Sequence, residues 1–196
     1  MPNSPATSER SLEVQREEFS RRRLMAMPIA GTIMWAIIGL IGVLNITGML
    51  DLSVMAMMLV VFICTGSIAY LGMFISRFTG ENMLDKSRPK NTFDGLFFLG
   101  MGAAMAVFAI AIPFAMIEPS SVTMTVGILT GLMWMPLTWI IDHPIGVLHT
   151  VSRIIACLVL YYALPDLRFV AIPAAIVVIY LVTLVVLQKR WKTVNA

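Results

Sequence analysis

The chain has 196 residues, 59% of them hydrophobic and 13% charged, with a formal net charge of +3 and a mean hydropathy of +0.88. Soluble domains carry roughly a quarter of their residues as charges and cannot hide this much apolar surface in one core. A water-soluble globular protein is excluded, and the bilayer must be the solvent.

The first 23 residues, MPNSPATSERSLEVQREEFSRRR, begin polar and then place Leu12, Gln15, Arg16 and Phe19 at helical spacing. Two readings fit: a surface helix with Leu12 and Phe19 dipping toward the headgroups, or a frayed tail. SRRRLM at 20–25 has the look of a twin-arginine export signal, but the apolar stretch behind it is too long for cleavage and five more follow.

Runs free of charged residues then cover 24–50, 52–76, 95–117 and 119–141; 144–165 is broken only by Arg153, and 169–188 closes the series. A helix needs about 20 mostly apolar residues to cross the hydrocarbon layer, and each run reaches that length. None alternates with the period of 2 that a membrane barrel requires. The expected fold is all-α, a six-helix transmembrane bundle. Short connections at three places make spans one and two, three and four, and five and six antiparallel neighbours, giving three hairpins. In the longer connection, 77–94, Asn91 or Asp94 is placed to cap the third span. Residues 189–196 form a second tail.

Arg10, Arg16, Arg21, Arg22 and Arg23 precede the first span, Arg77, Lys86, Arg88 and Lys90 lie in the 77–94 connection, and Lys189, Arg190 and Lys192 follow the last span. Against them stand Arg168 alone on the other side and Arg153 within the membrane. The positive-inside rule therefore puts both termini in the cytoplasm. This asymmetry explains the net charge without a nucleic-acid partner.

The one polar constellation lies at 139–156, WIIDHPIGVLHTVSRIIA. Asp142 before His143 and Pro144 reads as the cap of the fifth span, with Pro at its first position. At about 100° per residue, Asp142, Gly146, His149 and Arg153 share one stripe, and Arg153 has its Cα about 12 Å into the layer. No acidic residue occupies a charge-free run, so its partners are Asp142, carbonyls, water, lipid phosphate or an anionic ligand. Pro113, Pro136 and Pro173 each free the carbonyl four residues earlier. On the fourth span, Thr130, Trp134 and Thr138 recur every four residues, and Gly127 and Gly131 form a small-xxx-small pair that admits a close neighbour. The expected ligand-binding set is Arg153, His149, Asp142, His143, Thr130, Trp134 and Thr138, around a polar pocket between spans four and five that opens to the cytoplasm.

Metal chemistry finds little footing. His143 and His149, six apart, lie on different faces, and the 16 methionines are more often gap-fillers than copper ligands. Cys64 and Cys157, both within spans, read as buried thiols. No phosphate-cradling, zincin or nucleophile-elbow motif is present, so no cofactor is expected and an intramembrane enzyme has no positive support.

WMPLTWIIDHPIGVLHTVSR at 134–153, followed by a last span beginning RFVAIP, resembles a family of small bacterial membrane proteins known only as a domain of unknown function. The resemblance covers most of the chain after the N-terminal tail. It implies a six-helix protein of the bacterial inner membrane and supplies no substrate or reaction. Two functions are therefore expected to compete. One is binding or movement of a small anion, lipid headgroup or proton through the polar pocket. The other is an accessory role in which the stripe contacts a second copy or a partner membrane protein.

Overall fold

A computed structural model of the chain describes residues 10–85, 87 and 89–196. Lys86, Arg88 and the tail before Arg10 lie outside the described residues. Six helical rods are long and apolar enough to cross a membrane, and every regular element among the described residues is helical.

A short helix α1 (Leu12–Ser20) precedes the first span and is capped by the Ser11 hydroxyl, which accepts from Val14 N at 3.3 Å. Phe19 is buried against Phe93 and Phe97, whereas Leu12 and Val14 point outward, so α1 docks on protein through one of its three apolar residues. The first span is α2 (Ala26–Ile46). Its start is capped from a distance: the Glu81 carboxylate accepts from Met25 N and Ala26 N at 2.7 and 2.9 Å, satisfying donors that a helix start leaves open. Burial pushes the Glu81 pKa up, against the opposing pull of these hydrogen bonds and of Arg23. The second span, α3 (Val54–Ser76), begins at Ser53, whose hydroxyl accepts from Ala56 N.

Both middle spans are interrupted, the fourth of them at a proline. The third runs as α4 (Thr92–Ala106) and α5 (Phe108–Ile117), joined at Val107, six residues before Pro113. Asn91 caps it by accepting from Phe93 N at 2.9 Å, while Asp94 pairs with Arg22. The fourth span starts with a single 3-10 turn at Pro119–Ser121, continues as α6 (Val122–Gly131), tightens into a 3-10 turn at Leu132–Trp134, and ends as α7 (Met135–Ile141). Pro136 has no N–H for Leu132 O, and Met135 N–H takes that acceptor one residue early. Leu132 O is thus consumed locally and is no partner for Arg153. The fifth span is α8 (Ile145–Ala163) and the sixth α9 (Arg168–Val194).

The three expected hairpins form, but the most extensive packing joins the first span to the sixth as well as to the second. Glycine makes that approach possible. A Cβ on Gly42 would collide with the carbonyl oxygen of Phe169, the acceptor that Pro173 leaves without its usual helical donor, and a Cβ on Gly31 would collide with the Tyr180 ring. Trp35, Ile38, Val126, Ile172 and Ile176 fill the resulting core with no exposed surface. The third span is the peripheral rod: 11% of its most apolar stretch is buried, against 33% in each of the last three spans.

Arginines close the end of the bundle that carries both tails. Helix α7 ends with three free carbonyls. Arg16 donates to Trp139 O and Ile140 O, and Arg190 donates to Ile141 O at 2.9 Å and to Ser20 O at 2.6 Å. Cationic donors on a helix C-terminus also complement its dipole. At the other end Arg168 donates to Tyr161 O and to the Ser120 hydroxyl, tying the sixth span to the fifth and fourth.

Gly42→Ala should lower the melting midpoint of the purified protein clearly, at a cost of about 1–3 kcal/mol for forced overpacking. A Cβ at Gly66 meets nothing within 4 Å, so Gly66→Ala should leave the midpoint unchanged or higher; equal losses at both positions would contradict the assigned packing.

Candidate functional site

Arg153 stands eight residues into α8 with no exposed surface. Its guanidinium donates from Nη2 to the Thr130 hydroxyl of α6 at 2.9 Å and from Nη1 to the Tyr180 hydroxyl of α9 at 3.2 Å. Its central carbon lies 5.3 Å from the ring centre of Trp35 on α2 and 5.4 Å from that of Tyr180. The Nε has no hydrogen-bond partner, and Arg153 forms no ion pair among the described residues. A full positive charge is therefore held by two hydroxyls and two ring faces.

Each partner is held in turn. The Thr130 hydroxyl donates to Val126 O at 2.7 Å, so its lone pairs face the guanidinium. Gly131, one residue on, leaves room for the arginine stem: a Cβ there would stand 3.0 Å from Arg153 Cδ. Thr150 donates to Gly131 O at 2.9 Å and locks α8 to α6 at this level. Tyr180 accepts from Arg153, and its own proton has no acceptor among the described residues.

His149 is 1% exposed and lies one helical turn nearer the tail end. Its ring stacks on Trp134 with centres 4.4 Å apart and meets Tyr180 edge-on at 4.9 Å. Thr183 donates its hydroxyl proton to Ile179 O at 2.8 Å, so its oxygen receives the proton on His149 Nδ1, 2.8 Å away. His149 Nε2 is then left with no partner, like Trp134 Nε1 and Trp35 Nε1. Four buried nitrogens around one guanidinium lack hydrogen bonds, an arrangement uncommon in folded proteins.

The other expected residues separate from this cluster. Asp142 is exposed and adopts the left-handed conformation, φ 50° and ψ 52°, as the end of α7. The reversal there turns its carboxylate outward, so it neither caps α8 nor reaches Arg153. The cap is His143, whose Nδ1 accepts from Ile145 N at 3.2 Å. Thr138 accepts from Val147 N at 2.8 Å, and Gly146 lets the backbones of α7 and α8 touch beside it. Thr138 and His143 thus build the turn between spans, whereas Thr130, Trp134, His149 and Arg153 come together. The cluster draws on four spans, since Trp35, Tyr180 and Thr183 join it from the first and sixth. Their signal in the sequence was faint: Tyr180 and Thr183, three apart, are hydroxyls on one face of an otherwise apolar run.

These features define a multi-pass integral membrane protein built around an enclosed cation. Over residues 12–190 the chain belongs to a family of unknown function (DUF7010). Comparison with curated proteins and with solved structures returns no match.

Thr130→Val should leave a buried donor unpaired and destabilise the protein by about 1–3 kcal/mol, an effect that should largely vanish in an Arg153→Leu background; a double-mutant cycle measured by denaturant titration checks the coupling. At the turn, burial and then Arg190 hold the His143 imidazole below its ordinary pKa. The neutral ring's contribution is complete above about pH 6.5 and is lost as pH falls through the depressed folded value. Wild type should therefore lose melting temperature on acidification more steeply than His143→Ala.

Proposed function

We propose that the protein binds a small anionic group within the membrane at Arg153, in the inner membrane of a bacterium and with both tails in the cytoplasm. The carrying observation is the enclosed guanidinium without a carboxylate. Taking an ion out of water costs several kcal/mol even after relaxation, and an intramembrane ionisable residue is by default a functional one. Two hydroxyls offset part of that cost, and an anion would offset more.

The hydrogen-bond directions support this reading. An anion against Tyr180 receives the phenol's unused proton while the guanidinium behind it supplies the charge, and Thr130 fixes the guanidinium plane. His149 Nε2 offers a lone pair beside the same phenol and can accept a hydrogen bond from the ligand. The orientation rests on the arginines and lysines gathered at the tail end of the bundle.

Butyrate, which crosses lipid as the neutral acid, tests the site in nanodisc-embedded protein. It should raise the melting midpoint of wild type in a saturable manner, weakly that of Arg153→Lys, and not that of Arg153→Leu. An Arg153→Leu response equal to wild type, or no wild-type response, would falsify the proposal.

A further inference from the structure

We infer that the anion is the head of a single-chain amphiphile, a long-chain carboxylate, which enters sideways from the lipid beneath the third span; this rests on the anion-binding reading above. Thr130 and Tyr180, the two hydroxyls on the guanidinium, also line a recess of about 50 Å³ whose other walls include Thr65 of α3 and Met101 of α4. Met27 and Met133 separate that recess from a second cavity of about 290 Å³, which runs between α4 and the Leu132–Trp134 turn and α7, with Phe97, Ala103 and Leu137 among its walls. The smaller space meets hydroxyls backed by a charge, and the larger is almost wholly apolar. A head-and-tail ligand fits this division.

Three observations favour an amphiphile over a hydrated ion. The walls of both spaces carry no charged side chain, so an ion shedding its water finds no polar path to Thr130, whereas a molecule already dissolved in lipid needs none. The roof is the least buried span and breaks at Val107, and a Cβ on Gly100, which lines the larger cavity, meets nothing within 4 Å. Trp134, 6% exposed, lines the same cavity with its Nε1 unpartnered and its ring stacked on His149. The partition is made by two methionines, the side chains that adapt most readily to an occupant.

The charge selects the head. Chain and cavity are equally served by an alcohol or an ester, but only a carboxylate balances Arg153.

Quenching of Trp134 fluorescence by bromostearate in phosphatidylcholine nanodiscs tests the inference, using protein in which Trp139 and Trp191 are replaced by Phe, with the further Trp134→Phe protein giving the contribution of the enclosed Trp35. Stearate should compete a few-fold better than butyrate at equal mole fraction in the bilayer, through packing of its chain against the cavity walls, since the chain has already left water on entering lipid, and it should also outcompete stearyl alcohol. Ala103→Phe and, separately, Gly100→Leu should remove most of the preference for the long chain while butyrate stabilisation persists; Arg153→Leu should abolish both. If stearate competes no better than butyrate, if the alcohol matches it, or if neither cavity-filling variant alters the preference, the inference fails while anion binding stands. Loss of the butyrate response in wild type would remove both together.

Discussion

A guanidinium at mid-span without a carboxylate must be met by hydroxyls and ring faces, and that requirement decides which helices can be neighbours. Thr130 reaches it from the fourth span, Tyr180 from the sixth and Trp35 from the first. No two of those spans alone could house the arginine. Gly31, Gly127 and Gly131 leave room for this arrangement, since a Cβ at each would meet the Tyr180 ring, Cys157 Sγ and the Arg153 stem respectively.

The tail end shows the same chemistry with the opposite geometry. There the guanidinium groups are plentiful and the acceptors are helix ends: Arg16 and Arg190 occupy the last carbonyls of α7, and Arg22 pairs with Asp94. Glu81 does the converse for the start of α2. The basic surface thereby ties α1, α4, α7 and α9 into one plate over the bundle, so charge bias and structural cohesion come from the same side chains.

Length and charge made the spans legible, since each charge-free run became one rod and the hydrocarbon thickness allows little else. The polar stripe of the fifth span was legible for a related reason: at 3.6 residues per turn, Gly146, His149 and Arg153 can only share a face, and all three are buried. What the stripe faces was not. Helical periodicity says nothing about which rod comes opposite, and Tyr180 and Thr183 carry no charge to draw notice. Asp142 was misplaced because the helix phase was carried through a residue that leaves the helix; one left-handed position turns its carboxylate away, and His143 serves as the cap. The freed carbonyl at Leu132 was misassigned for a local reason, since Met135 could reach it by tightening a single turn.

The contact between the first and last spans bears on how the chain is made. Helices leave the ribosome in order, so the first span waits through the synthesis of every other before the second of its two main neighbours exists. Until α9 arrives, Arg153 lacks Tyr180 and His149 lacks Thr183, and the ring of rods stays open on that side. Assembly is therefore a closure event gated by the C-terminal segment, and a chain that stalls before it leaves the Arg153 guanidinium with Thr130 as its one hydroxyl partner among the described residues.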